Sequence, residues 1–249
     1  MEEQHVCQPC PDGMQQISFS DGLAFCIDRF ETTQGEYNQF LSELTLQPAL
    51  ELPDPVLCPP TESFEPGGGE DCMSGYDPGG GEALPVVCVD FCDAMAYCNS
   101  RGKRLCGGRG GRKLERTVAT VNKPSDDEWL AACMGANGSK YPYGDVYEAG
   151  RCNIDSPGVE PVTAFRGCDT PNHIGQLSGN VSEWVWICND NRDFGELRCL
   201  VRGGEYGTTD PELAACGFID VNARGEALPR RSLEPAGISP GVGIRCCMD

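Results

Sequence analysis

Cysteine offers the most chemistry in this chain: 17 of 249 residues, spread from Cys7 to Cys247. Thiols bind soft metals, exchange with disulfides or close into bridges, and their spacing discriminates among these uses. Structural zinc needs two paired knuckles, and Cys7-Gln-Pro-Cys10 is the single CxxC. The set therefore reads as a disulfide framework, which requires an oxidising compartment. Spacing alone pairs Cys10 with Cys26 and Cys188 with Cys199. Because 17 is odd, at least one thiol is left free or pairs with another chain. The adjacent Cys246-Cys247 is a candidate copper or redox site, although neighbouring cysteines commonly join different bridges.

The second candidate is 178-SGNVSEWVW-186. A buried strand keeps Asn180, Ser182 and Glu183 only if something satisfies them. A hard cation such as calcium, bound by oxygens, is one solution. An ion pair from Glu183 to Arg202 or Arg245 is the other. Histidine chemistry has little to work with, since His5 lies in a tail and His173 in a loop; a facial iron site needs two converging histidines and a carboxylate. No GxSxG elbow is present for hydrolysis. The glycines of 107-GGRGGRK-113 lack the leading strand and the Gly-Lys-Ser/Thr of a phosphate loop, so they read as a basic loop. Tyr141, Tyr143 and Tyr147, near Gly144-Asp145, form either a ligand platform or half-buried core. Asn137-Gly-Ser139 and Asn180-Val-Ser182 fit a glycosylation pattern that arises often by chance.

The elements that must position these groups are short. Thr33-Gln-Gly-Glu36 can cap a helix running to about Glu43, Asp90 a second that stops near Gly102, and Ser125-Asp-Asp-Glu128 a third that ends at Gly135. With 32 glycines and 19 prolines, strands of four to six residues between turns are all the spacing permits. Residues 45–84 read as a long surface loop pinned by Cys58 and Cys72. Residues 1–9 read as a tail left after removal of a leader, and 10–249 as one irregular α+β domain. Acidic residues outnumber basic ones 38 to 19, and the net charge of -19 argues against nucleic acid or an anionic membrane as partner. No apolar run reaches the roughly 18 residues of a membrane span.

Taken in order, 26-CIDRFETTQGEYNQFL-41, 85-PVVCVDFCDAMAYCNSRGKRL-105, 128-EWLAAC-133, 141-YPYGD-145, 152-CNI-154, 179-GNVSEWV-185, 202-RGGEY-206 and 243-GIRC-246 resemble the formylglycine-generating enzyme, or sulfatase-modifying factor, family. The likeness implies a C-type-lectin-like fold, poor in regular structure, with 107–124 as an insertion. It implies a calcium site at the Gln176 side chain, the Gly179 and Val181 carbonyls and Glu183, with Gln176 standing where relatives carry Asn or Asp. A second calcium site would begin at Asn153 and Ile154, with Asp155 or Glu160 substituting for missing ligands. Two disulfides carry over, Cys98–Cys246 and Cys133–Cys216, the latter about two residues off the family register.

The family's enzyme oxidises a substrate cysteine using copper held by two thiolates. Counted from Arg202-Gly-Gly204, those positions fall on Thr208 and Leu213; Glu205 replaces the motif's Ser, and Ser182 the first Trp of its WEW triplet. The expectation is a secreted, periplasmic or cell-surface binding module, stabilised by calcium and without copper. Its ligand cleft is at Glu205, Tyr206 and Thr208, and its partner is a peptide or protein, such as a surface-assembly subunit or an effector. The alternative is a copper oxidoreductase rebuilt from Cys216, Cys246 or Cys247. A third idea, carboxylate chemistry by Glu205 and Asp210 with Tyr206, lacks a second catalytic group.

Overall fold

The computed structural model describes residues 9–44, 58, 63–67, 81–115, 122–189, 198–207, 210–218, 226–227 and 241–249. Its helices are set by their caps. Helix α1 (Gln34–Leu44) begins where the Thr33 N–H and hydroxyl donate to Glu36 Oε2 at 2.8 and 2.9 Å, and the Glu36 N–H donates back to Thr33 Oγ1. Helix α2 (Phe91–Ser100) starts at Asp90, whose carboxylate accepts from the Cys92 and Asp93 N–H groups while Asp93 accepts from the Asp90 N–H. After it the chain turns through Gly102, at a φ of 67° that suits glycine.

Helix α3 (Glu128–Met134) starts later than a Ser125 cap would give. Its cap is Asp127, which accepts from the Leu130 N–H at 2.9 Å. The Asp126 carbonyl is taken by the Arg109 N–H at 2.8 Å, which ties that residue to the neighbouring loop and keeps it out of the helix.

Strands β1 (Met14–Ser18) and β2 (Ala24–Asp28) form a hairpin, extended by β9 (Cys246–Met248) and β3 (Arg104–Leu105) into an antiparallel sheet of order β1-β2-β9-β3. The second sheet runs β4 (Leu114–Glu115), β5 (Ser182–Asn189), β6 (Arg198–Arg202) and β7 (Glu226–Ala227), with β8 (Val242–Gly243) parallel to β5. Alternation along β5 serves two cores. Trp184 packs edge-on to Phe91 at 5.8 Å in a core with Tyr37, Phe40 and Met95, whereas Val185 and Ile187 face Trp129, Leu130 and Ile27.

Seven disulfides lie among the described residues: Cys10–Cys26, Cys58–Cys92, Cys98–Cys246, Cys106–Cys247, Cys133–Cys216, Cys152–Cys168 and Cys188–Cys199. The neighbouring cysteines of β9 point to opposite faces, so Cys246 reaches α2 in one core and Cys247 reaches Cys106 in the other. This corrects the redox reading: Cys216, Cys246 and Cys247 each sit in a bridge, and none is a thiolate. Of the two cysteines expected to pin the 45–84 loop, one is described. Cys58 bonds to Cys92 in α2, and Cys72 lies outside the described residues.

Candidate functional site

The polar residues of 178-SGNVSEWVW-186 are held by partners distant in sequence. Gln176 and Asn180 take positive φ, 58° and 62°, and the intervening turn is fixed from both sides. The Gly179 N–H donates to the Gly203 carbonyl at 2.8 Å and the Asn180 N–H to the Asn153 carbonyl at 2.7 Å. The Asn180 amide then saturates itself. Its Nδ2 donates to both oxygens of Glu31, at 3.1 and 3.0 Å, and to the Glu160 carbonyl at 3.2 Å. Its Oδ1 accepts from Asn153 Nδ2 and the Glu160 N–H, both at 2.9 Å.

Glu183 is fully buried, and Arg245 compensates its charge. Nε of Arg245 donates to both carboxylate oxygens at 2.9 Å, Nη2 donates to Oε1 at 2.7 Å, and the Trp129 indole N–H donates to Oε2 at 2.6 Å. Remaining Arg245 donors reach the Asp28 and Gly175 carbonyls. Arg202, the other candidate partner and the cross-strand neighbour of Glu183, turns instead to the helix cap Asp127 at 2.6 Å. Burial, with the charge of Glu183 nearby, pushes the Glu31 carboxyl well above the usual glutamate range, against the pull of Arg245.

The implied calcium ligands suit a cation unevenly. Gln176 is buried, and neither its Oε1 nor its Nε2 has a hydrogen-bond partner. The Leu177 and Val181 carbonyls of the same loop approach Gly203, where a Cβ would stand 3.5 and 3.7 Å from them and 3.3 Å from the Trp129 ring. These oxygens suit a hard cation. Glu183 is already neutralised, so it would have to share its carboxylate. In the second implied site, Asn153 Oδ1 is buried without a partner, but Asp155 is exposed. Among the described residues no cluster of three or more His, Cys, Asp or Glu is poised for a metal.

The residues expected to form a ligand cleft follow β6 in the chain. A Cβ on Gly204, whose φ is 69°, would meet the Leu213 carbonyl at 2.6 Å, so glycine is what lets the two segments close. Leu213 stands in a 3-10 turn, Pro211–Ala214, begun by Asp210 accepting from the Glu212 N–H at 3.0 Å and anchored by the Ser178 hydroxyl donating to the Ala214 carbonyl at 2.5 Å. Glu205 and Tyr206 are half-buried beside it, and Thr208 lies outside the described residues. Beyond this turn stand the tyrosines. Tyr141, buried, donates its hydroxyl to the Pro211 carbonyl at 3.3 Å and stacks on Tyr143 at 5.6 Å. A thiolate copper site does not fit: Leu213 offers no sulfur, Thr208 offers none by sequence, and Cys216 is bonded to Cys133.

Sequence reasoning missed Glu31, whose contact with Asn180 spans 149 residues, and the bridges Cys106–Cys247 and Cys152–Cys168. No local signal marks Glu31. The strict alternation of a short strand holding two cysteines could have separated Cys246 from Cys247.

The sequence matches the family described as "Sulfatase-modifying factor enzyme 1-like domain" over residues 11–249. It is 29% identical over 179 residues to mouse "Inactive C-alpha-formylglycine-generating enzyme 2", a match covering 66% of this chain and 48% of the mouse protein. It is 30% identical over 191 residues to the "Formylglycine-generating enzyme" of Thermomonospora curvata, covering 66% of this chain and 55% of that one. The chain thus spans about half the length of these relatives. Among solved structures, CarF superposes with a TM-score of 0.59 at 20% identity, covering 96% of this chain and 98% of CarF. PvdO from Pseudomonas aeruginosa gives 0.56 at 18% identity, covering 96% and 92%. With the motifs in order, the bridged cysteines and this shared irregular α+β fold, the chain belongs to the sulfatase-modifying factor enzyme 1-like domain family.

Proposed function

We propose that the chain is an exported binding module on this fold, without formylglycine-generating activity. One observation carries the reading: the copper positions hold Thr208 and Leu213, while the nearby Cys216 is committed to Cys133 and the C-terminal pair to Cys98 and Cys106. Monovalent copper held by two thiolates has no donors there. The likeness to relatives titled inactive supports this, and the likeness to a relative titled as the enzyme shows that identity alone does not decide. Seven bridges support export to an oxidising compartment, and no helix among the described residues is long and apolar enough to cross a membrane. The partner is a peptide or protein, such as an effector or a surface-assembly subunit, received at the cleft by Glu205 and Tyr206.

The test combines copper(I) titration with oxygen uptake in the presence of cysteine-containing peptides. Neither stoichiometric copper nor peptide-dependent oxygen uptake is expected. Tight one-to-one copper(I) binding with peptide-dependent uptake would overturn the reading.

Calcium is a second reading, favoured by the unpartnered Gln176 amide. Calcium would be held by Gln176 Oε1 and the Val181 and Gly179 carbonyls, with Glu183 shared between it and Arg245. Binding to the folded state alone raises the melting temperature with the logarithm of ligand excess. Calcium should therefore raise Tm in wild type and leave Gln176→Ala unmoved; an unchanged wild-type Tm removes calcium from the account.

A further inference from the structure

Val146 is 74% exposed and, with Leu23 at 43%, makes up the large exposed hydrophobics among the described residues. It belongs to a loop that carries aromatic rings to the surface. Tyr143, Tyr147 and Phe165, all half-buried, pack against Ile154, Ala214 and the Cys152–Cys168 bridge. The face adjoins the segment after β6, since Tyr141 reaches Pro211 and a Cβ on Gly207 would lie 3.9 Å from the Ser156 carbonyl.

Two cations already lie over rings of this cluster, Arg151 over Tyr143 and Lys140 over Tyr141 at 5.6 Å. The Arg151 guanidinium lies 4.5 Å from the centre of the Tyr143 ring, with the Glu148 carboxylate 2.8 Å from its Nη1. Tyr141 stacks parallel to the same ring, within 7°. Tyr147 joins the same cluster in a different geometry, and no cation is stacked on it among the described residues. It meets Tyr141 at 6.0 Å, tilted by 54°, and burial followed by the neighbouring Asp155 carboxylate raises its phenol. Asp155 and Asp210 are exposed and have no cationic partner among the described residues, whereas Lys140 is paired with Glu212 at 2.5 Å.

We propose that this face docks a basic segment of a protein partner, with a lysine or arginine side chain laid on Tyr147 and paired with Asp155, and its aliphatic stem on Val146. An aromatic face attracts a cation, a carboxylate beside it fixes the charge, and a long basic side chain covers apolar surface with its stem. The net charge of -19 steers such a partner inward and repels acidic ones. The inference rests on the binding-module reading and names the chemistry of its partner.

The test titrates the full chain into fluorescein-labelled hexalysine at low salt, with calcium chelated, against labelled hexaglutamate and a glycine-serine peptide of equal length. Hexalysine should bind and the other two should not. Tyr147→Ala and Asp155→Asn should each weaken binding about tenfold, Tyr147→Phe should retain it, and Asp12→Asn, an exposed acid in the turn before β1, should change it less than about twofold. Thermal melts confirm that each variant is folded. The proposal is overturned if hexalysine does not bind, if the neutral or acidic peptide binds as well, if Tyr147→Ala has no effect, or if Asp12→Asn weakens binding as much as Asp155→Asn. The copper and oxygen measurements report on the binding-module reading separately, so a chain silent there but indifferent to hexalysine fails only here.

Discussion

The loop around Asn180 and Glu183 and the segment around Tyr206 and Leu213 are neighbours in space, the Tyr206 N–H donating to the Asn180 carbonyl at 3.1 Å, yet their polar groups are treated differently. In the first, buried carboxylates and amides are satisfied from across the molecule: Arg245 serves Glu183, and Asn180 joins Glu31, Asn153 and Glu160. In the second, the positions that would hold thiolates carry Leu213 and Thr208, and exposed carboxylates such as Asp155 and Asp210 face water. Substitution in the first region leaves a buried charge or amide stranded, which costs the whole fold. Substitution of an exposed carboxylate in the second strands no buried group.

Arg245→Met tests the first region most severely. Removing one partner of a buried pair strands the other, and unfolding in denaturant should show a loss of about 3–5 kcal/mol. Pairing it with Glu183→Leu should recover much of that loss; if the double variant is no better than the single, packing rather than the ion pair dominates. Asn180→Ala comes next, at about 2–3 kcal/mol, because it removes donors from the buried Glu31 carboxylate. A loss below about 1 kcal/mol would mean that water replaces the amide.

Glu31 yields a pH prediction. Its folded carboxyl is raised above the ordinary value of 4.5, so the folded state holds the proton more tightly than the unfolded one. The contribution of this group to stability is therefore fully present below the unfolded value and falls as pH rises from about 4.5 toward the folded one. Glu31→Gln should lose less stability than wild type over the same rise, compared by thermal melts; parallel profiles would show that Glu31 ionises normally. The smallest effect belongs to the second region. Tyr147→Ala, on the half-buried aromatic face, should cost under about 1 kcal/mol, well below Asn180→Ala. A loss as large as that of Asn180→Ala would make the tyrosine face part of the core and erase the contrast.

Much of this molecule follows from its sequence alone. Thr33 and Asp90 cap helices because a cap needs only a side chain, two or three following N–H groups and an extended φ, all local. The family motifs, spread from residue 26 to 246, carry the fold by residue identity, and the sequence itself shows Thr208 and Leu213 after Arg202-Gly-Gly204. The partner of Glu183 is another matter. Arg202 pairs with it across the sheet and Arg245 lies 62 residues away, and only the packing of α3 against both strands sends Arg202 to Asp127 and leaves Arg245 for the glutamate. Cys58 likewise meets Cys92, and Asn180 meets Glu31, because of where the topology brings distant segments together. Local chemistry is written in neighbouring residues, whereas compensation of a buried charge depends on which distant group reaches it first with good geometry, and the tertiary structure decided that.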